Sequence, residues 1–332
     1  MSEVSFQVFR GAAGDAPVAD SVTKALKPND IYIKITHSGV CGTDEHFRHA
    51  PVALGHEGIG IVANVGSSVE GYKAGDRVGF GFVRKVCGKC ENCLTGWDQY
   101  CPNRVSYGGA DPDTGSFSTG AIVDARCVFH IPEVLSSASA APLMCGGATV
   151  WTVLSQYNIK PTDTVGVMGI GGLGHLAIKI AANMGCKVVV LSSNESKRSE
   201  ALSYGASDFF VKPYDGAVVG DVPKLNHLLL CGSSRSSLIP LMATNGTIYP
   251  MTVDSKPSDF VAFQLVSNAV RIQGSNVGDS TSIRKLLEFA AQHKITTETQ
   301  EYPLTADGIV SALGSLKEGK VRYRAVLVAG QS

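Results

Sequence analysis

The sequence predicts an α/β chain that combines a loop-rich, mostly β portion with a doubly wound parallel sheet. Three observations carry this. Up to about Ala140 the chain is rich in Gly, Pro and short β-type runs, the pattern of antiparallel strands between turns. From Thr164 onward, strand-like and helix-like stretches alternate, which is how parallel sheets are built. A glycine loop, residues 169–174, sits between the first of these strands and its helix.

The elements follow in order. Residues 31–36, 60–64 and 77–82 read as strands of the first portion. Residues 165–168 form a short apolar run, after which Leu173, Leu176, Ala177, Ile180, Ala181 and Met184 recur at helical spacing. The next strand is 187–191, and others follow at 226–230, 247–251 and 271–273. The tail, from about 279 to 332, holds one amphipathic helix at 282–293 and closing strands such as 322–328. By pattern alone the tail fits either portion. No internal repeat or low-complexity segment interrupts the chain.

Composition bounds the function. A chain of 332 residues suggests two domains. It is 44% hydrophobic and 17% charged, where roughly 25% charged is usual; this suits a large buried core and a subunit interface besides. Lys plus Arg and Asp plus Glu both number 29, and no basic block stands out, so nucleic acid is not an expected partner. Residues 1–14 lack the apolar core of a secretory signal. No apolar stretch approaches the roughly 20 residues that span a bilayer. A cytoplasmic protein without membrane contact is therefore expected. Nine cysteines in a reducing compartment then read as metal ligands or free thiols. Cys127, Cys186 and Cys231 lie among apolar residues and read as buried thiols. His37, His49, His130, His175, His227 and His293 read as structural or surface residues.

The loop Gly169-Ile170-Gly171-Gly172-Leu173-Gly174 is a G-x-G-x-x-G. Glycine-rich turns occur in other α/β proteins, but this one follows a strand and opens a helix. The glycines permit a tight turn and close backbone approach, and the helix start offers N–H groups to a dinucleotide pyrophosphate. Proteins that bind NAD usually end the next strand with Asp or Glu, which bonds the ribose 2′-hydroxyl. Here Ser192 and Ser193 come first, and Lys197 and Arg198 follow a turn later. Hydroxyls and cations suit a 2′-phosphate, so NADP(H) is the expected cofactor. Glu195 is the dissenting charge, though it lies beyond the usual acidic position. The alternative is that Lys197 and Arg198 only begin a solvated helix.

Two sets of residues have metal-ligand character. Cys87, Cys90, Cys93 and Cys101 place four thiolates within fifteen residues, enough to close a tetrahedral shell around zinc and leave no position for water. Disulfides or an iron–sulfur cluster are the alternatives, and the first conflicts with the compartment. The second set is scattered: Cys41 in Cys-Gly-Thr-Asp, His56-Glu57 in Gly-His-Glu-Gly, and Cys145 in Met-Cys-Gly-Gly. Two Cys and one His leave a fourth zinc position open, as catalysis requires. Each of these residues alone reads as structural.

Together these motifs, with Cys41-Gly-Thr-Asp-Glu-His46, Pro142-Leu-Met-Cys145-Gly-Gly-Ala-Thr149-Val and Val321-Arg-Tyr-Arg324, resemble the zinc-containing medium-chain alcohol dehydrogenases. Within them, the cinnamyl alcohol dehydrogenase branch is the nearest likeness, over nearly the whole chain. The resemblance implies a GroES-like catalytic domain at 1–144 with a structural zinc lobe at 87–101. It further implies a Rossmann NADP-binding domain at 145–277 and a return to the catalytic domain at 278–332. It implies two zinc ions per chain, one on Cys87, Cys90, Cys93 and Cys101. The other would sit on Cys41, His56 and Cys145, with Glu57 as an alternative fourth ligand and Asp44 orienting a ligand. Thr43 and His46 match the proton-relay positions. Thr149, Ser275, Asn276 and Val277 match places near the nicotinamide, and Ser192, Ser193 and Lys197 match the 2′-phosphate contacts. A homodimer through the sheet edge near 271–274 is also implied.

The activity so implied is hydride transfer between NADPH and an aldehyde or alcohol, aromatic or bulky, with zinc polarising the substrate oxygen. The proton would travel through Thr43 and the cofactor ribose to His46. The family usually has a loop several residues longer between Cys41 and His56. That loop borders the substrate cleft, so specificity does not carry over. Rival readings are an NAD-dependent ethanol-type enzyme, an enoyl or imine reductase on the same fold, and a non-catalytic NADPH-binding module.

Overall fold

The computed structural model describes residues 3–213, 220–232, 237–253 and 262–330. The chain divides into two compact units, Met1–Ala148 with Val277–Ser332, and Thr149–Asn276. The first division falls inside the helix Gly146–Gln156.

The first unit is built on a mixed sheet. Its strand order is Thr299–Pro303, Arg324–Val328, Asp30–Val40, Gly58–Val65, Arg77–Phe80, Val128–His130, with Gly120–Asp124 also paired to Asp30–Val40. All these pairs are antiparallel except Thr299–Pro303 with Arg324–Val328. Period-2 alternation explains the central strand: Ile31, Ile33 and Ile35 are buried together with Phe80, Val123 and Val128. The three strands expected here are present, the first extended to Val40. Its extension delivers Cys41 to the end of the strand. The hairpin of Glu3–Arg10 with Val18–Ala25 was not legible, because only Val22 of the second strand is buried.

The tail corrects one expectation. It holds two helices, Ser280–Gln292 and Ala306–Lys317, where the pattern shows one. Asp279 caps the first by accepting from the Thr281 and Ser282 amides. The second contains Gly308 and Gly314, each costing about 1 kcal/mol in a helix interior. Ile309, Ala312 and Leu313 are buried against Phe9, Phe117 and Leu327. Full burial of a large apolar side chain is worth about 1.5–3 kcal/mol, so packing outweighs the glycines.

The second unit is a six-stranded parallel sheet in the order Asp208–Val211, Lys187–Ser192, Thr164–Met168, Leu225–Leu230, Met242–Pro250, Arg271–Ile272. That is the 3-2-1-4-5-6 arrangement of a Rossmann fold. Val188, Val189, Val190 and Leu191 are all fully buried, as expected of a strand covered on both faces. Gly169 has φ +90°, and a Cβ on Gly174 would lie 1.9 Å from the Gly169 carbonyl oxygen. Both positions therefore require glycine, and the helix Gly174–Asn183 starts directly behind the loop. Among the described residues, no helix is long and apolar enough to cross a membrane.

Candidate functional site

Local structure brings the scattered residues together within the first unit. Cys41 ends the central strand and caps the helix Gly42–Phe47; its amide donates to Asp44 Oδ2 at 2.9 Å. His56 and Glu57 lead into the strand Gly58–Val65. Cys145 stands between the 3-10 turn Ala141–Met144 and the helix Gly146–Gln156. One ligand atom each from Cys41, His56, Glu57 and Cys145 lies within 4.8 Å of all the others. Cys41 Sγ is 3.2 Å from His56 Nε2.

The other face of His56 is fixed. Its Nδ1 is 2.9 Å from Asp44 Oδ1, in a pair that is fully buried. Burial opposes protonation of His56, but Asp44 and Cys41 outweigh it and raise its pKa well above the usual value. Glu57 is pushed up to about 7 by burial, against the pull of Arg324, whose guanidinium contacts Glu57 Oε1. Its other oxygen, Oε2, is buried without a hydrogen-bond partner. The Cys41 thiol is lowered and the Cys145 thiol raised, first of all by their hydrogen bond to each other. Two sulfurs, an imidazole nitrogen and an orphaned carboxylate oxygen converge here. This donor set suits zinc, which binds S, N and O at about 2.0–2.3 Å.

The second cluster is local. The helix Glu91–Leu94 places Cys90 at its start and Cys93 near its end, and the 3-10 turn Asp98–Tyr100 delivers Cys101. The four Sγ atoms lie within 4.8 Å of one another. Cys90 and Cys93 are 3.5 Å apart and Cys87 and Cys93 3.9 Å. These separations exceed a disulfide bond, about 2.05 Å. They leave room for a central cation.

Thr43 and His46 lie one turn apart on the helix Gly42–Phe47, with Thr43 half-buried and His46 exposed. The Thr43 amide donates to Cys41 Sγ at 3.4 Å.

In the second unit a cavity of about 380 Å³ opens at the ends of the first two strands. Gly169, Ile170, Ser192, Ser193 and Lys197 line it, together with Asn194 and Lys212. Among the described residues no acidic side chain lines it. Glu195, the dissenting charge, is bound by Arg198 at 2.5 and 2.8 Å. Gly171, Gly172 and Leu173 form the turn behind the cavity, and Gly174 opens the helix. Thr149, Ser275 and Asn276 lie outside this cavity. Val277 falls in the first unit, where it lines a small recess with Phe82 and Met144.

Sequence reasoning missed three residues. Lys212 directly follows the half-buried strand Asp208–Val211 and is 3% exposed; it neighbours Ser192 only through the sheet, so it had no sequence signal. Arg324 has a sequence signal only as the last residue of the Val321–Arg324 motif. Tyr107, in the Ser-Tyr-Gly-Gly turn, donates to Asp44 Oδ1 at 3.0 Å and had no sequence signal.

The two units and their clusters define a zinc-binding dehydrogenase. Residues 27–133 match the alcohol dehydrogenase GroES-like domain family, and residues 172–292 match the zinc-binding dehydrogenase family. The chain is 34% identical to cinnamyl alcohol dehydrogenase 2 of Arabidopsis thaliana, over 92% of this chain and 85% of that protein. The solved structure of a Sorghum bicolor cinnamyl alcohol dehydrogenase superposes with TM-score 0.88 at 31% identity, covering 98% of each chain. A Helicobacter pylori relative complexed with NADP(H) gives TM-score 0.84 at 26% identity, over 98% of this chain and 99% of that one. The chain belongs to the zinc-containing medium-chain alcohol dehydrogenases, in the cinnamyl alcohol dehydrogenase branch. It is thus an oxidoreductase acting on CH–OH groups of small alcohols and their aldehydes, with zinc and a nicotinamide dinucleotide as cofactors.

Proposed function

We propose that the protein is a zinc-dependent, NADPH-preferring aldehyde reductase and alcohol dehydrogenase for aromatic or bulky substrates. The observation that carries the reading is the convergence of Cys41, His56, Glu57 and Cys145 on one point. Cys41, His56 and Cys145 would hold the catalytic zinc, and Cys87, Cys90, Cys93 and Cys101 a structural one. When bound, zinc supplies Lewis acidity to the substrate oxygen and the nicotinamide supplies or accepts hydride.

The chain's own residues do the rest. Asp44 accepts from Nδ1–H of His56, so Nε2 presents its lone pair to the cluster. Glu57 can exchange its contact with Arg324 for the metal, which makes it a reserve ligand. The Thr43 hydroxyl can pass a proton, and the exposed His46 can exchange it with water. Ser192, Ser193, Lys197 and Lys212 line a pocket with no acidic side chain among the described residues, which suits a 2′-phosphate. Thr149, Ser275, Asn276 and Val277 remain proposed neighbours of the nicotinamide.

A homodimer fits the edge strand Arg271–Ile272. Ile272 is 45% exposed, and Phe263 and Val266 of the preceding helix are 75% and 77% exposed. Light scattering of the eluted protein should give twice the chain mass.

The deciding experiment follows NADPH oxidation with aromatic and aliphatic aldehydes, before and after zinc chelation. Turnover that disappears on chelation and returns with zinc supports the proposal. Cofactor binding without turnover on any aldehyde would leave a binding module instead.

A further inference from the structure

The Asp44 carboxylate is fully buried and takes four donors. Oδ2 accepts from the Cys41 amide; Oδ1 accepts from His56 Nδ1 at 2.9 Å, Tyr107 Oη at 3.0 Å and the Gly55 amide at 3.1 Å. The same Gly55 amide also donates to Tyr107 Oη at 3.0 Å. The Tyr107 ring stacks on the His56 imidazole with centroids 4.7 Å apart and planes inclined by 17°. Phe47 meets Tyr107 edge-on at 5.1 Å. Tyr107 is itself 2% exposed.

We propose that Tyr107 is a positioning residue for His56, acting at once through its hydroxyl on Asp44 and through its ring on the imidazole face. The inference rests on the reading of His56 as a metal ligand. The physical need is specific. The torsion that turns an imidazole is broad, so rotamer preference does not set the ring plane; contacts must. Asp44 anchors one nitrogen, but a single hydrogen bond leaves the ring free to swing about it. The stacked phenol removes that freedom. Its hydroxyl also keeps Asp44 in place, since a buried carboxylate deprived of donors would shift to find others. Together they leave His56 one orientation, with Nε2 facing Cys41 Sγ.

The test uses the full zinc-loaded protein and a chromogenic chelator. Tyr107→Phe keeps the stack and loses the hydroxyl; Tyr107→Leu loses both. Native protein should release zinc in two phases, and the phase absent from Cys145→Ser marks the catalytic site. Tyr107→Leu should speed that phase alone by about tenfold, the low end for loss of an outer-shell partner, and Tyr107→Phe by less. With cobalt in place of zinc, the visible absorption of the same site should shift in both variants. The Phe variant carries the test where the Leu variant does not fold. Unchanged release and an unchanged cobalt spectrum would overturn the proposal. Equal acceleration of both phases would also overturn it, by marking Tyr107 as general packing. A native protein with a single zinc phase would instead defeat the metal reading beneath it.

Discussion

The Lys197 ammonium donates to the Ile170 carbonyl oxygen at 2.6 Å, so the cation assigned to the 2′-phosphate also clamps the glycine loop. Lys212 shares the cavity, one residue beyond the strand that pairs with Lys187–Ser192. The two lysines should therefore separate in a cofactor assay. Lys197→Ala should weaken both cofactors, because both use the loop, and NADPH the more, because it also loses a phosphate contact. Lys212→Ala should weaken NADPH selectively. Charge-assisted hydrogen bonds are worth about 1.5–3 kcal/mol, or on the order of ten- to hundred-fold. Ser193→Asp should narrow or reverse the preference through like-charge repulsion. Fluorescence titrations giving equal affinity for NADPH and NADH in the native protein would refute the assignment.

Metal content separates the two clusters. Purified, metal-replete protein should carry two zinc ions per chain, one for each ligand set. Cys93→Ser should lower the melting temperature, because three remaining thiolates cannot close the shell. Cys145→Ser should keep the fold and lose activity. A single zinc in metal-replete native protein contradicts this.

The relay is open to kinetics. Thr43→Ala and His46→Ala should slow turnover with little change in NADPH affinity, since general acid–base catalysis contributes roughly 10²–10⁴-fold. Thr43 should matter more, because its amide already lies against Cys41 Sγ, whereas His46 is exposed. Native rates for Thr43→Ala across the pH range would remove Thr43 from the mechanism.

In the second unit, His227 predicts a pH effect on stability. Burial lowers its pKa, although Asp163 at 3.3 Å opposes the shift. The unfolded chain protonates a histidine near about 6.5. Between that value and the lower folded one, the unfolded state holds more protons. Stability is then full above the unfolded pKa and declines as pH falls toward the folded one. His227→Gln should flatten this decline in urea unfolding of the second unit. An identical decline in the variant would show that another group causes it.

What the sequence revealed depended on how local each partnership is. The four-cysteine lobe and the glycine loop are short segments whose residues serve one another, so spacing alone exposes them. Arg324 meets Glu57 across 267 positions, and Tyr107 meets Asp44 across 63. Neither pairing leaves a periodic trace. Ile309, Ala312 and Leu313 did carry helical spacing, but Gly308 and Gly314 masked it until packing was visible. Lys212 reads as an ordinary polar residue after a strand until Ser192, a neighbour only through the sheet, is seen beside it; its amide donates to the Ser192 carbonyl at 2.7 Å.

The short segment between Cys41 and His56 bears on substrate size. Its helix Gly42–Phe47 turns back at once, and Arg48 fastens it to the Asp15 carbonyl at 3.0 Å. The 106–117 loop packs on the segment: the Ala53 amide donates to the Pro112 carbonyl at 2.7 Å, and Gly108 sits against the Phe47 ring. Arg10 and Lys24 pin that loop through Asp113 and Asp111 at 2.6 and 2.7 Å. The segment is therefore held stiffly, with the loop's contacts made to Phe47 and Ala53. A missing loop takes away apolar surface that would wrap a small substrate, at about 25 cal/mol per Å² left wet. It also takes away steric rejection of large ones. Efficiency should accordingly rise from acetaldehyde-sized compounds to bulky aromatic or polycyclic aldehydes. A steady-state series across that range decides: kcat/KM greatest for the smallest aldehydes would mean that the pinned loop closes the site as tightly as the absent one would have done.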